Sequence, residues 1–255
     1  MALKLSIVGS GNVAWNLAHA LDRAGHSIMQ VISRDVSHAE ALAKRFGAFF
    51  GTDFSELYGD SDLIIFSISD DQYAGLMHSI KLNSDAVICH TSGPVSMEVL
   101  SEASTRYGVF YPLQSFNKDK LKEFWDVPIL VEGVDAGVEK MLMQLADSIS
   151  NHVRMVNSFD RKKYHLSAVF ANNFTNAMYI SAERYLNQEG LDFDVLKPII
   201  YETALRISDR SPEEVQTGPA IRGDLKVLEK HIEMIKDPAL KEVYEQLSKL
   251  IMTLR

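Results

Sequence analysis

The chain has 255 residues, of which 46% are hydrophobic and 24% are charged, and its formal net charge is −8. At about 100–200 residues per domain, this length predicts two domains with a buried core. Basic residues are scattered along an acidic chain, which argues against nucleic acid and an anionic membrane as main partners. We therefore expect a small-molecule substrate.

Cysteine usage and hydropathy indicate the compartment. Cys89 is the single cysteine, so neither an intramolecular disulfide nor a cysteine-based metal site is expected. The N-terminal residues lack the pattern of a signal peptide, and no apolar run reaches about 18 residues. We expect a cytoplasmic protein with no metal and no membrane span.

The first part of the chain alternates short apolar runs with amphipathic segments. Runs that are rich in β-branched residues and apolar on both faces suit the strands of a parallel sheet covered on both sides. This alternation predicts a doubly wound α/β domain over residues 1–157. The runs are Leu5–Val8, Ile28–Ile32, Leu63–Ile68, Ala86–Cys89, Val109–Tyr111, Ile129–Val131 and Val153–Val156.

After residue 157 the strand pattern ends, and residues 158–255 are predicted to form an all-α domain. One long helix is expected over 159–188, followed by helices near 194–208, 223–236 and 238–253. Asp237 and Pro238 mark the start of the last helix, and Ser211 to Glu214 form a capping box. A domain of few helices with wide apolar stripes predicts a homodimer built by this part of the chain.

A phosphate-binding loop follows the first predicted strand. Gly9-Ser10-Gly11-Asn12-Val13-Ala14 reads G-x-G-x-x-A and opens an amphipathic helix, which is the context that a dinucleotide-binding Rossmann domain requires. Gly9 allows the tight turn, Gly11 lets a pyrophosphate approach, and Ala14 permits close helix packing. A glycine turn without a ligand is the weaker alternative.

The end of the second strand bears on which dinucleotide binds. Ser33 and Arg34 stand where an NAD-binding chain usually has an acidic residue, and a guanidinium can bind the 2′-phosphate of NADP. Asp35 follows directly, and it could instead precede a helix capped by Ser37. The pattern favours NADP over NAD.

With these features in place, the chain resembles pyrroline-5-carboxylate reductase and the deazaflavin-dependent NADP oxidoreductases in its first 110 residues. More closely, it resembles an uncharacterised bacterial family that adds a helical C-terminal domain of unknown function, of the 6-phosphogluconate-dehydrogenase C-terminal type. The resemblance covers nearly the whole chain and implies a dimeric NADP-dependent oxidoreductase. The strings that carry it are residues 7–14, His90-Thr91-Ser92-Gly93, Tyr111-Pro112-Leu113-Gln114 and Gln216–Asp224.

Two further strand ends should face the cofactor, because ligands of open α/β sheets lie beyond the carboxyl ends of the strands. Ser69 follows the run Leu63–Ile68, and Thr91 and Ser92 follow the run Ala86–Cys89; all three are expected to bind cofactor. Asp70 and Asp71 are expected to cap the next helix rather than contact a ligand. His90 is open between a catalytic and a packed interior role.

The long helix carries a polar stripe on an otherwise apolar surface. At 100° per residue, His165, Asn172, Asn176, Tyr179 and Glu183 fall on one face. The stripe could line a site between the domains, pair across a dimer interface or face solvent, and the first is favoured. We expect His165, Asn172 and Asn176 to be catalytic.

The chain also departs from the related hydroxy-acid dehydrogenases at one catalytic position. Related hydroxy-acid dehydrogenases place a catalytic lysine one turn before an asparagine on the corresponding helix, where this chain has Ala168 and Val169. Lys162 and Lys163 come too early. His165 is the remaining acid, since histidine titrates near neutral pH, and an interior structural histidine is the equal alternative. Reduction of an imine is less affected by the missing lysine.

The segment Gln216–Asp224 is predicted to be a loop. Thr217, Gly218, Pro219 and Arg222 are expected to bind substrate, with Arg222 meeting a carboxylate or simply pairing with Asp224 or Glu214. The leading hypothesis is an NADP-dependent reductase of a small imine, keto or hydroxy substrate bound between the domains. The rival is a non-catalytic dinucleotide-binding redox sensor or scaffold.

Overall fold

A computed structural model describes residues 2–57, 59–80, 82 and 85–254. The chain divides into two compact units, Met1–Ala171 and Asn172–Arg255. The helix Ser158–Ala168 belongs to the first unit, where the Arg161 side chain forms an ion pair with Glu132. The domain boundary after residue 157 stays a prediction, and the two units are described separately.

Within the described residues, the first unit holds an eight-stranded sheet in the order β3-β2-β1-β4-β5-β6-β7-β8. Strands β1 to β6 run parallel, β7 is antiparallel to β6, and β8 runs parallel to β7. The predicted doubly wound, mostly parallel sheet is confirmed. The strands are β1 Lys4–Val8, β2 Ser27–Ile32, β3 Phe49–Gly51, β4 Leu63–Phe66, β5 Val87–His90, β6 Tyr107–Pro112, β7 Ile129–Gly133 and β8 Val153–Met155.

Helices cover both faces of this sheet. One buried cluster joins the strands to α1, α2 and α4, and a second joins them to α3 and the 3-10 helix Met97–Glu102. Burial on both faces explains why β4 is apolar throughout and why β1, β2 and β5 are mostly apolar, with Ser6, Gln30 and His90 as buried polar exceptions. The helices are α1 Asn12–Arg23, α2 Val36–Ala43, α3 Tyr73–Ser79, α4 Ala136–Asp147 and α5 Ser158–Ala168, with further 3-10 turns at Phe54–Glu56 and Asp70–Gln72.

The cap of α2 differs from the prediction. Asp35, not Ser37, is the N-cap, and its Oδ1 accepts from the backbone N–H of Ser37 at 2.9 Å and of His38 at 3.2 Å. A carboxylate two and three residues before the free N–H groups satisfies both at once.

The predicted continuous helix over 159–188 is interrupted. Residues Val169–Phe174 form a π-helix between α5 and α6, which spans Thr175–Gln188. A π-helix bonds each residue to the fifth one along, so its turn is wider than an α-turn. Angular positions calculated at 100° per residue therefore do not carry from His165 across to Asn176.

The second unit is all-α in its described part, as predicted. Besides α6 it contains the 3-10 turn Phe193–Leu196, then α7 Lys197–Arg206, α8 Pro219–Arg222, α9 Leu225–Met234 and α10 Pro238–Met252. The short α8 lies inside the segment predicted as a loop, where Pro219 at the first turn favours a helix start. In the described residues, no helix is both long enough and apolar enough to span a bilayer.

The predicted cap of α10 and the capping box at Ser211 are both present, but the box precedes a turn and, in the described residues, no helix begins there. Asp237 caps α10 by accepting from Ala239 N and Leu240 N. Ser211 and Glu214 form the reciprocal capping box, with each side chain accepting from the backbone N–H of the other at 3.3 and 3.0 Å.

Candidate functional site: a cavity at the strand ends and a histidine–tyrosine pair

Gly9 is required by the fold itself. Its backbone has φ +112°, and an added Cβ would lie 2.1 Å from the carbonyl oxygen of Ser67. Gly9 N also donates to Ile32 O at 2.8 Å, and Ser67 N donates to Val8 O at 2.7 Å. The ends of β1, β2 and β4 are thus drawn together around a position that accepts no side chain.

Gly11 is different, because the protein leaves open space beside it. An added Cβ would meet no heavy atom within 4 Å, and the backbone is extended at φ −79°. Neither sterics nor conformation requires glycine here. Gly11 stands directly before the first turn of α1, whose N–H groups are free to bind an anion. The open space beside Gly11 leaves room for a ligand to approach the backbone of the loop.

A cavity of about 760 Å³ opens over this loop. It lies beyond the carboxyl ends of β1, β2 and β4, where the strand order reverses around β1. Open α/β sheets bind dinucleotides at such a switch point. Its lining contains the predicted residues Gly9, Ser10, Gly11, Asn12, Ser33, Arg34 and Ser69. Ala14, in contrast, is fully buried in the core, and Val13 is half-buried on α1.

The end of β2 presents a cation to this cavity. The Arg34 guanidinium donates to the side-chain oxygen of Gln72 at 2.9 and 3.0 Å once that amide is oriented to face it. Ser33 Oγ lies 2.8 Å from Ser10 Oγ, which ties the end of β2 to the phosphate loop. His38 also lines the cavity. These contacts hold Arg34 where its N–H groups could donate hydrogen bonds to a 2′-phosphate.

Asp35 also lines this cavity, but its carboxylate is engaged at the start of α2. Its carboxylate caps α2, and the Ser37 hydroxyl donates to it at 2.6 Å. Hydrogen bonds from the Ser37 side chain and from His38 N lower the pKa of Asp35 below its usual value. The acidic residue nearest the end of β2 is therefore committed to the helix start.

The two predicted hydroxyls after β5, those of Thr91 and Ser92, have internal partners, and neither residue is among those that line the cavity. Ser92 Oγ donates to Asp70 Oδ1 at 2.7 Å, and Thr91 Oγ1 donates to Ser67 Oγ at 3.2 Å. The expectation that Asp70 caps the next helix is wrong, because its carboxylate joins the loops after β4 and β5 instead. Asp71 lines the cavity with its neighbour Gln72.

Lys118 is a cation of the cavity that the sequence did not reveal. Asn12 Oδ1 accepts from Lys118 N at 3.0 Å, and Asn16 contacts Asn117 O at 3.0 Å and Lys122 N at 2.8 Å. These bonds fasten the segment 117–122 along α1 and bring Lys118 to the cavity wall. The contact spans 106 residues, so no local pattern could have indicated it.

His165 lies at the carboxyl ends of β5 and β6. Its Nδ1 is 3.0 Å from the hydroxyl of Tyr111, the fifth residue of β6. Gly93, just after β5, leaves room for this pair, since an added Cβ would lie 2.6 Å from His165 Nδ1 and 2.9 Å from Tyr111 Cζ. In the sequence, the string Tyr111–Gln114 indicated only a family resemblance. No local pattern identified Tyr111 as the partner of His165.

One helical turn before His165, Arg161 is fully buried. It forms an ion pair with Glu132 on β7 and donates to Gly93 O at 3.2 Å, Val95 O at 2.5 Å and Ser158 Oγ at 3.1 Å. Burial lowers the pKa of Arg161, and the bond to Glu132 opposes this. Arginine is suited to such a site because its five donors lie in a fixed fork. Arg161 thus fastens the loop after β5 to α5.

His90 is an interior residue. Its side chain is fully buried, its Nδ1 accepts from Ser92 N at 3.1 Å, and its Nε2 has no hydrogen-bond partner among the described residues. Burial, with a smaller effect from the Arg161 charge, lowers the pKa of His90 to about 3. The ring therefore stays neutral near pH 7, which disfavours His90 as a general acid.

The remaining predicted residues belong to the second unit. Asn172 lies in the π-helix and Asn176 in the first turn of α6, and both are exposed within the chain. His165 falls in the first unit.

Within the segment predicted to bind substrate, Gly218 adopts φ +112° before Pro219. Thr217 borders a cavity of about 610 Å³ in the second unit. Arg222 ends α8, and in the described residues it forms an ion pair with neither Asp224 nor Glu214.

Two family models match the chain. The model described as "NADP oxidoreductase coenzyme F420-dependent" matches residues 4–93, and the model described as "Domain of unknown function (DUF2520)" matches residues 127–251. No curated protein matches the chain.

Several solved structures are similar over the whole length. The "putative NADP oxidoreductase" of Bacteroides fragilis is 38% identical, with 99% of this chain and 98% of that chain covered and a TM-score of 0.93. An imine reductase from a Pseudomonas species is 20% identical (99% and 94% covered, TM-score 0.71), and the 1-pyrroline-5-carboxylate reductase of Streptococcus pyogenes is 14% identical (99% and 99% covered, TM-score 0.67). The last two likenesses show the fold alone. At 38% identity over nearly its whole length, the chain belongs to the same family as the Bacteroides fragilis protein, a family of NADP oxidoreductases with a Rossmann domain followed by a DUF2520 domain.

Proposed function

We propose that the chain is an NADPH-dependent reductase of a small imine or keto substrate, with a hydroxy compound as the product of keto reduction or as the substrate of the reverse reaction. The observation that carries this proposal is the cavity at the switch point of the sheet, with Gly11 open toward it and Arg34 on its wall. A bound nicotinamide cofactor would supply the hydride. The residues present fit such a group, since an open glycine and a free helix start suit a pyrophosphate.

The preference for NADPH over NADH follows from the charges at the end of β2. Arg34 is held by Gln72, and the nearest carboxylate, Asp35, is occupied as the cap of α2. A 2′-phosphate would meet the Arg34 guanidinium with Ser33 and His38 beside it, while the Asp35 and Asp71 carboxylates that line the same cavity would oppose its binding. Lys118 adds a further positive charge that suits the phosphates.

The proton is the second requirement of a reduction. When the substrate carbon takes up a hydride, the electron pair of its double bond moves to nitrogen or oxygen, and that atom takes a proton. We assign the donation of this proton to His165, because no lysine occupies the corresponding helical turn. An imine that arrives protonated depends least on this acid, so we favour imines among the possible substrates.

Residues of the second unit are proposed to hold the substrate. Asn172 and Asn176 carry amide groups that donate and accept hydrogen bonds and could orient it. Thr217, Gly218, Pro219 and Arg222 are proposed as further substrate contacts, with Arg222 as the partner of a carboxylate.

We also propose that the protein is a homodimer assembled through the second unit. In the described part of that unit only Ala220, Leu228 and Ser248 are buried, while apolar residues such as Val195 and Ile199 are exposed. A folded unit needs to remove more apolar surface from water than this, and a second copy of the same surface would cover it.

The cofactor assignment is tested by titrating NADPH and NADH into wild type and Arg34→Ala. Charge-assisted hydrogen bonds contribute about 1.5–3 kcal/mol, so wild type should bind NADPH at least about tenfold more tightly, and Arg34→Ala should lose this preference. Arg154→Ala is the matched control, because Arg154 on β8 is exposed and lies outside the cavity lining. Equal affinities in wild type, or a preserved preference in Arg34→Ala, would overturn the assignment.

The enzymatic assignment is tested by following NADPH oxidation with a panel of small cyclic imines and keto acids. His165→Asn should lower kcat by about 10²–10⁴-fold while NADPH affinity and thermal stability stay close to wild type. Wild-type turnover by this variant would remove His165 from the mechanism. Failure of every substrate with folded, NADPH-saturated protein would favour a dinucleotide-binding sensor.

A further inference from the structure

The hydrogen bond between Tyr111 and His165 bears on which ring nitrogen of His165 carries a proton. A neutral imidazole carries its proton on one of two nitrogens, and the hydrogen bond made by the other nitrogen selects which. His165 Nδ1 lies 3.0 Å from Tyr111 Oη, and the two rings meet edge to face with 62° between their planes. The direction of this bond therefore decides which nitrogen of His165 carries a proton.

The surroundings of the phenol favour it as the donor of this bond. Burial raises the pKa of Tyr111 to about 12, with the Asp70 carboxylate adding to the rise, so the hydroxyl keeps its proton at neutral pH. In the described part of the chain its one hydrogen-bond partner is His165 Nδ1. A partly buried hydroxyl gives its proton to an available acceptor, since an unpaired donor costs free energy. Nδ1 is then the acceptor, and the ring proton lies on Nε2.

The surroundings fix this geometry. Gly93 lies so close to both rings that a methyl group could not be added without moving them. Arg161, one turn before His165 on the same face of α5, binds the carbonyl oxygens of Gly93 and Val95 and pairs with Glu132. Helix α5 and the loop after β5 therefore move together, which keeps His165 against Tyr111.

We infer that Tyr111 is a positioning residue that fixes the tautomer of His165, so that Nε2 is the atom that presents a proton to the substrate. The acid itself is the ring with a second proton, in which Nδ1 donates to the phenol oxygen and Nε2 gives its proton to the substrate, leaving a neutral ring. Nε2 is thus a donor in both states. The role toward substrate rests on the proposed function, whereas the tautomer itself does not.

The tautomer is measured without cofactor or substrate. Nitrogen-15 NMR of histidine side chains, recorded at about pH 8.5 where an ordinary histidine is neutral, separates protonated from unprotonated ring nitrogens. His165→Asn identifies the signals of His165. Wild type should show a protonated Nε2 and an unprotonated Nδ1, and Tyr111→Phe should shift the pair toward a mixture of tautomers.

Tyr164→Phe is the matched control, because Tyr164 precedes His165 on α5 but is 42% exposed and outside the pair. It should leave the wild-type nitrogen signals unchanged. A wild-type His165 with its proton on Nδ1 would overturn the inference. So would a folded Tyr111→Phe whose His165 signals match wild type.

Kinetics separate this inference from the proposed function. With an active substrate, Tyr111→Phe should lower kcat at least about tenfold and leave NADPH affinity unchanged, because a wrong tautomer removes the donor and not the cofactor site. A wild-type kcat in this variant, despite an altered tautomer, would overturn the positioning role. If the tautomer is as expected but His165→Asn turns over at the wild-type rate, the acid of the proposed function fails while the tautomer assignment stands.

Discussion

The two units of this chain bury their apolar residues to very different degrees. In the first unit, strands and helices enclose two clusters of buried side chains, one on each side of the sheet. In the second, the described residues include three buried ones, Ala220, Leu228 and Ser248. Yet the second unit exposes large apolar side chains along its helices, among them Val195, Ile199, Tyr201 and Leu250.

The comparison shows that the first unit buries its own apolar residues, whereas the second exposes apolar residues that a partner would have to cover. A sheet that is covered on both faces provides its own core, and its polar candidate site residues lie at the strand ends. Helices with uncovered apolar stripes have the composition of a core but lack the opposing surface. We therefore expect substitutions in the first unit to affect folding or binding one residue at a time, and substitutions on the second to affect association.

The largest effect is expected inside the first unit, at Gly9. Gly9→Ala places a Cβ 2.1 Å from a backbone oxygen at φ +112°, which should lower the free energy of unfolding by at least about 3 kcal/mol. Gly11→Ala is the matched variant, since its Cβ meets open space. It should change stability by less than about 1 kcal/mol and weaken NADPH binding at least about tenfold.

Thermal unfolding and NADPH titration of both variants check this pair. A stable Gly9→Ala would contradict the packing around the strand ends, and a Gly11→Ala that binds NADPH like wild type would contradict the ligand path over the loop.

A change of assembly is the next effect in size. If the second unit pairs with a second copy, light scattering at micromolar concentration should give about twice the 28.6 kDa chain mass. Ile199→Lys introduces a charge on a side chain that is 62% exposed on α7, and it should shift the protein toward monomer. Val134→Lys makes the same change on an exposed valine of the first unit and should leave the mass unchanged.

A monomeric wild type would contradict this difference between the units, because the second unit would then be stable with its apolar stripes exposed to water. Equal dissociation by Ile199→Lys and Val134→Lys would place the interface elsewhere.

The smallest effect is a pH dependence of the first unit. His90 has a pKa of about 3 when folded, below the ordinary value near 6.5, so between these values the unfolded chain binds the extra proton. Stability should therefore be full above about pH 6.5 and fall as the solution is acidified. The loss from His90 should reach about 2 kcal/mol at pH 5.

Unfolding by denaturant at pH 7.5 and pH 5 measures this loss in wild type and in His90→Asn, which keeps an acceptor for Ser92 N. The variant should lose less stability on acidification. Some loss should remain, because burial also lowers the pKa of His26. An identical loss in both proteins would show that His90 is not the group responsible.

Local patterns predicted the features that depend on neighbours in sequence. The strand runs, the loop Gly9–Ala14, the capping box at Ser211 and the cap at Asp237 each act within a few residues, so their residue types indicate them directly. The helix start at Asp35 was misread because Ser37 is also a good cap, and only the backbone directions show which oxygen is in reach.

The sequence by itself determined the fold class, the place of the dinucleotide loop and the cation at the end of β2, since each follows from periodicity or from residues adjacent in the chain. Only the tertiary structure decided which side chains contact one another. Tyr111 and His165 are 54 residues apart, Arg34 meets Gln72, and Arg161 reaches the loop at Gly93 from a later helix. Such contacts depend on how strands are ordered and where helices lie on them, which local composition does not specify. The π-helix at Val169–Phe174 was likewise invisible, because a single wider turn leaves no residue pattern of its own.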